Sequence, residues 1–126
     1  MEQKEKELVL KDICARLPYG TKVRAFIGEK GENDEILGCV HIFNFYAYKC
    51  KPYLRPMSSM TEEELKEYHK TFFYHERYDN EHKTGQNCSI TFETYDWLNA
   101  HHFDYRGLIK KGLALEAPEG MYDEQL

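Results

Sequence analysis

Apolar positions recur every three or four residues near the start of the chain, and this spacing predicts an amphipathic helix within residues 1–20. Lysine and glutamate fill most of the remaining positions, as on a solvated face. Pro18 and Gly20 end the helix, because proline cannot continue it and glycine readily adopts the left-handed conformation that follows one. The predicted apolar stripe consists of Leu10, Ile13, Cys14 and Leu17.

A pattern of period two follows over residues 21–55 and predicts β-strands. Residues 21–27 alternate, residues 36–43 are apolar on both faces as in a central strand, and residues 45–55 alternate tyrosine with lysine. The polar stretch 28–35 contains glycine and is predicted as a turn. We therefore expect a small three-stranded antiparallel sheet, an SH3-like meander.

The clearest local signal is the sequence MTEEEL at residues 60–65. Thr61 is an N-cap residue and Glu64 stands three positions later, which is the spacing of a capping box. Glu62 and Glu63 lie in the first turn, where the helix dipole favours acids. The pattern predicts a capped central helix over residues 61–76.

Residues 89–117 carry signals for two short helices that close over the core as a helical clasp. Thr91 is placed to cap the first helix, which runs through Trp97, and Asp104 to cap the second, which ends at Gly112. The predicted core of this clasp consists of Trp97, Leu98, Phe103, Leu108, Ile109, Leu113 and Leu115.

Together these elements predict one α+β domain over residues 1–126, with a polar loop at 77–88 of unassigned role and an acidic tail at 118–126. The chain of 126 residues is long enough for a single core, and its net charge of −5 disfavours unfocused binding to nucleic acid. The four cysteines lack CxxC spacing, which favours reduced thiols. The amino-terminal residues lack an apolar leader and no apolar run is long enough to cross a bilayer, so we expect a cytoplasmic protein without a membrane partner.

The histidines do not form a recognisable metal motif. His69 and His75 lie six residues apart and would occupy different faces of a helix, while His101 and His102 are adjacent and should point apart. A metal or hydrolase site around this pair and Asp104 is a minor hypothesis, because nothing in the surrounding sequence singles out a nucleophile or a ligand set. We expect no cofactor, and an enzyme is the less favoured interpretation.

Two interpretations of the segment between Tyr46 and Arg55 stay open. Aromatic rings interleaved with cations can form a platform for single-stranded nucleic acid. Alternation on an edge strand would equally place tyrosine on the core and lysine in solvent, where lysine guards against aggregation. The candidate binding residues here are Tyr46, Tyr48, Lys49, Lys51, Tyr53 and Arg55.

The clasp provides the second set of candidate binding residues, Trp97, His101, Asp104 and Arg106. Aromatic residues make up 14% of the chain, and no catalytic constellation accompanies them. Tyrosine and tryptophan are enriched at protein interfaces. Our leading hypothesis is therefore a non-enzymatic module that binds another protein, or a second copy of itself, through a contiguous patch of exposed aromatics.

Two segments, KPYLRPMSSMTEEE at 51–64 and DWLNAHHFDYRGLIKKGLALEAPEGMY at 96–122, resemble a widespread family of small uncharacterised proteins from gut bacteria and their phages and mobile elements. The opening LKDICARLPYG at 10–20 is similar to that family as well. The resemblance implies a mobile-element or phage setting. It implies no activity, cofactor or catalytic residue.

Overall fold

The first element of the computed structural model is helix α1, Gln3–Arg16, which a 3₁₀ turn at Leu17–Tyr19 and Gly20 (φ 68°) bring to an end. The structure describes residues 2–26, 32–43, 49–77 and 85–123. Helix α1 confirms the predicted amphipathic helix, but its buried stripe is rotated and includes Asp12 and Arg16 while Cys14 is exposed. Apolar spacing alone cannot find this face, because two of its members are charged residues that pair with each other.

A four-stranded sheet in the order β2-β1-β3-β6 forms the centre of the fold, so the α+β class is confirmed and the predicted count of three strands is wrong. Strand β1 is central and antiparallel to both β2 and β3, while the short β6 runs parallel to β3. A second, two-stranded antiparallel sheet consists of β4 and β5. The strand bounds are Lys22–Phe26 (β1), Glu32–Ile36 (β2), Lys49–Leu54 (β3), Phe73–Arg77 (β4), Gly85–Ser89 (β5) and Leu115–Glu116 (β6).

The predicted central strand at 36–43 is wrong, because Cys39–Phe43 forms a short helix, α2. The backbone N–H of Gly38 donates to His41 Nδ1 (3.0 Å), and His41 Nε2 lies 2.7 Å from a carboxylate oxygen of Glu35. Such local side-chain bonds offer the backbone an alternative to a sheet ladder. Of the polar turn predicted at 28–35, residues 32–35 lie instead in β2, and residues 28–31 lie outside the described part of the chain.

Helix α3, Glu62–Lys70, begins with the predicted capping box, in which the Thr61 hydroxyl and the Glu64 carboxylate each accept a backbone N–H at 3.1 Å. The predicted end near residue 75 is wrong, because the chain leaves the helix at Thr71 and enters β4. The hydroxyl of Thr91 donates to the carbonyl of Thr71 (2.9 Å), so the helix end is held by a contact twenty residues away. Of the predicted loop at 77–88, residues 78–84 lie outside the described part of the chain and the last four lie in β5.

Helix α4, Phe92–Ala100, confirms the first helix of the clasp, with Thr91 as its cap. The prediction of a second clasp helix is wrong, because the residues that follow α4 form turns. The carboxylate of Asp104 accepts the N–H groups of Leu108 (2.8 Å) and Ile109 (3.0 Å), which a helix would need for its own backbone bonds.

The main core lies between α1, the large sheet and the turns after α4. Its buried members are Val9, Ile13, Val23, Leu37, Leu54, Leu108, Leu113 and Ala114. In the predicted clasp core, Leu98, Phe103, Leu108 and Leu113 are buried and Trp97, Ile109 and Leu115 are half-buried. Over the described ranges, no helix is long and apolar enough to cross a membrane.

The predicted acidic tail is wrong for residues 118–123, because Tyr122 is buried against the sheet. Its hydroxyl donates to the carbonyl of Tyr53 (2.7 Å) and accepts the backbone N–H of Lys22 (2.9 Å). Burial raises the pKa of this phenol to about 12. The two hydrogen bonds of the Tyr122 hydroxyl thereby hold the segment between β6 and Tyr122 against the large sheet.

Candidate functional site

A cleft of about 1140 Å³ opens between α3, the turn that precedes it and the C-terminal segment after β6. Carboxylates dominate its polar lining, and they come from distant parts of the chain. They belong to Glu63, Glu64, Glu67, Glu116, Glu119 and Asp123. The site is therefore a strongly acidic concavity that only the folded chain assembles.

Two structural devices hold the walls of the cleft in place. The capping box at Thr61 fixes the first turn of α3, so that Glu63 and Glu67, four residues apart, lie on one side of the helix. On the opposite wall, the N–H of Ala117 donates to the carbonyl of Leu54 (2.8 Å), and the buried Tyr122 anchors the following turn.

Arg55 is the one lysine or arginine among the described lining residues, and it is already paired. Its Nη1 and Nη2 donate to the two carboxylate oxygens of Glu64, both at 2.7 Å, and its guanidinium lies 4.2 Å from the centre of the Phe103 ring. The hydrogen bonds from Arg55 hold the pKa of Glu64 below its usual range. Across the described residues, none of the other cleft carboxylates has a cationic partner.

His101 is the second predicted binding residue that lines the cleft. Its Nδ1 lies 2.9 Å from the carbonyl oxygen of Trp97, which requires Nδ1 to carry the proton, and its ring stacks on the Trp97 ring at 4.1 Å. The structure thus brings together one residue from each predicted set, Arg55 from the strand and His101 from the clasp.

Lys51 and Tyr53, the other strand candidates whose side chains are described, do not line the cleft. Tyr53 is buried, with 4% of its surface exposed, and its hydroxyl donates to Asp34 (2.8 Å). Lys51 is half-buried on β3. Tyr46, Tyr48 and the side chain of Lys49 lie outside the described residues, and the predicted platform stays a prediction for them.

The remaining clasp candidates stabilise the fold. Trp97 stacks between Tyr68 (5.6 Å) and Phe103 (5.6 Å), which joins α3 to α4. Asp104 closes the turn after α4, as described above. Arg106 donates from Nε to Asp12 (3.1 Å) and from Nη2 to the hydroxyl of Tyr105 (3.2 Å).

Asp12 and Arg16 form a buried ion pair that the sequence analysis missed. Arg16 donates from Nε to Asp12 (2.8 Å) and from Nη2 to the carbonyl of Phe103 (2.7 Å), and both side chains are 0% exposed. Arg16 Nη1 has no hydrogen-bond partner in the described part of the chain. The spacing of four between opposite charges, flanked by Val9 and Ile13 on the same stripe, was the available signal.

His102 faces a different environment from His101. It adopts a left-handed backbone (φ 63°), its ring stacks on Tyr122 at 3.7 Å, and its Nδ1 lies 3.0 Å from the hydroxyl of Thr21. In the described ranges, no group of three or more histidine, cysteine, aspartate or glutamate side chains is placed to hold a metal ion. Cys50 is buried, whereas Cys39 and Cys14 are exposed.

Among the residues whose burial is described, the most exposed apolar side chains lie in two stretches of the chain. Phe43, on α2, is 85% exposed, and Phe92, at the start of α4, is 89% exposed. Their neighbours Val40 and Ile90 are also more than half exposed, at 55% and 56%. Contiguous apolar patches are typical of surfaces that contact other molecules, whereas single exposed rings are common on protein surfaces.

Comparison of the chain with protein-family models, with curated proteins and with solved structures returned no match. No relative therefore assigns a role to the cleft residues, and only the geometry and charge of the cleft indicate what it binds.

Proposed function

We propose that this protein is a non-enzymatic interaction module whose acidic cleft binds a lysine- or arginine-rich segment of a partner protein. The observation that carries the proposal is the set of cleft carboxylates without cationic partners in the described residues. A concave surface lined by one sign of charge attracts and orients ligands of the opposite sign.

The cleft also suits the shape of a basic side chain. Ala117, Pro118 and Met121 contribute apolar surface beside the carboxylates. Lysine and arginine pack their aliphatic stems on such surface while the charged head stays near water and acids. Solvent-exposed ion pairs contribute only about 0.2–1 kcal/mol each, so we expect modest affinity that falls as salt rises.

The exposed Phe43 and Phe92 favour a protein partner as well, because aromatic residues are enriched at protein interfaces. A second copy of the chain is an alternative partner and stays a prediction. The mobile-element or phage setting implied by the resemblance is likewise part of this proposal.

Nucleic-acid binding through the strand between Tyr46 and Arg55 gains less support. The ring of Tyr53 is buried, Arg55 is paired with Glu64, and the cleft beside it would repel phosphate. Lys49→Glu plus Lys51→Glu would abolish binding if the strand were a platform, and unchanged binding would rule the platform out.

The direct test is fluorescence anisotropy with a labelled lysine- and arginine-rich peptide, compared with a neutral peptide of equal length at low salt. The double variant Glu63→Gln/Glu67→Gln should weaken binding about fivefold, since two exposed pairs together contribute about 1 kcal/mol. Glu62→Gln, on the same helix but outside the cleft lining, is the matched control and should leave affinity unchanged. Absence of binding to the basic peptide, or equal weakening by the control, would refute the proposal.

A further inference from the structure

Arg55 occupies a well-formed guanidinium site within the cleft. Its backbone is fixed on both sides, since its N–H donates to the carbonyl of His102 (2.7 Å) and its carbonyl accepts the N–H of Asp104 (2.8 Å). Its side chain lies between the Phe103 ring and the Glu64 carboxylate. An aromatic face combined with a bidentate carboxylate is the arrangement by which proteins hold arginine strongly.

This pair is accessible from the cleft. The side chains of Arg55 and Glu64 are 19% and 12% exposed, and both line the cavity. Both oxygens of Glu64 accept hydrogen bonds from Arg55, so this carboxylate offers less to an incoming cation than Glu63 or Glu67 beside it.

We propose that Arg55 is a self-masking residue, which occupies Glu64 and thereby limits the affinity of the cleft for a basic partner. The proposal rests on the proposed function of the cleft. Replacing Arg55 with a neutral residue should release Glu64 to the partner and leave the cleft more acidic.

A double-mutant cycle with the labelled basic peptide tests this. Arg55→Met should tighten peptide binding about fivefold, which is close to the effect of one unit charge at contact distance in water. Glu64→Gln alone should weaken binding about fivefold, because it leaves Arg55 as an unpaired cation that repels the basic peptide. In the Arg55→Met background, Glu64→Gln should remove the gain.

Two features keep the cycle interpretable. Glutamine is accepted at the third position of a capping box, so Glu64→Gln preserves the start of α3. Arg55→Gln is the second variant if Arg55→Met does not fold, and it should shift affinity in the same direction.

The outcomes separate the two proposals. If the wild-type protein binds the peptide but Arg55→Met leaves affinity unchanged or weaker, self-masking is wrong and the cleft function stands. A gain that persists after Glu64→Gln would also overturn self-masking, because the gain would then not come from the released Glu64 carboxylate. If the wild-type protein does not bind the peptide, the cleft function itself is wrong.

Discussion

Asp12→Ala should be among the most destabilising single substitutions in this chain. The Asp12 carboxylate accepts hydrogen bonds from Arg16 Nε at 2.8 Å and from Arg106 Nε at 3.1 Å. Its removal leaves the fully buried Arg16 with the carbonyl of Phe103 as its remaining hydrogen-bond partner in the described residues. Arg106 is affected less, because its side chain is 20% exposed and can reach water.

The magnitude follows from the burial of the pair. Breaking a buried ion pair by removing one partner costs about 3–5 kcal/mol, because the other charge stays buried without compensation. Alanine improves helix propensity by less than about 0.7 kcal/mol, which offsets only a small part of this loss. Since small domains have a free energy of unfolding of about 5–15 kcal/mol, the loss is a large share of the total.

Urea unfolding at neutral pH, followed by far-UV circular dichroism, measures the free energy of unfolding of each variant. Glu7→Ala, at an exposed position of the same helix, is the control and should change stability by less than about 0.5 kcal/mol. Asp12→Leu/Arg16→Met should destabilise less than Asp12→Ala, because no charge is left buried and the main remaining cost is the unpaired Phe103 carbonyl. A loss below about 1 kcal/mol for Asp12→Ala would refute this reasoning.

Four further predictions concern single residues. Tyr122→Phe should lower the free energy of urea unfolding by about 1–3 kcal/mol, because the carbonyl of Tyr53 and the N–H of Lys22 lose their partner while the ring still stacks on His102. An unchanged free energy of unfolding would contradict the role of this hydroxyl in anchoring the segment. The pKa of Tyr122 is raised from 10.0 to about 12 in the folded state, so its contribution to stability is complete below pH 10 and is lost as the pH rises to 12. The pKa of the buried Cys50 thiol is raised from 9.0 to about 11, so its contribution is lost over that pH range. Stability measured against pH should therefore fall through this alkaline range, and Tyr122→Phe should flatten its upper part. For Glu64, whose pKa is lowered, the contribution is present above pH 4.5 and lost on acidification below it, so Glu64→Gln should reduce the acid dependence of the unfolding midpoint. Thr91→Ala should cost about 1 kcal/mol through the lost helix cap, whereas Thr91→Ser should preserve it, and equal losses for the two would contradict the capping assignment.

Local signals predicted the helix starts well. Thr61 and Thr91 act as caps in the structure because a threonine hydroxyl reaches the backbone three residues ahead regardless of the rest of the fold. The predictions of the end of α3 and of the second clasp helix were wrong, because each depends on a competing partner. Thr71 is tied to the start of α4, and Asp104 captures N–H groups that a helix would have used.

The candidate site was recognised only in fragments. Arg55 and His101 were predicted as binding residues in two separate sets, and the structure places both on one cleft. The sequence pattern explains the glutamates of α3 as helix capping and the acidic residues beyond 117 as a tail. It does not reveal that the two groups of carboxylates line the same cleft. Neither the local charge pattern nor periodicity reveals that Tyr122 returns to the sheet.

The sequence by itself determined the features that depend on local interactions and composition: the amphipathic first helix, the two capped helices and the excess of acidic residues. These depend on contacts within about one helical turn, whose energetics are nearly independent of context. Tertiary structure alone decided the strand order, the buried pair of Asp12 and Arg16, and the meeting of carboxylates from α3 with those after β6. Such contacts join residues far apart in the chain, and the closure of the core selects among many local patterns that are almost equal in free energy.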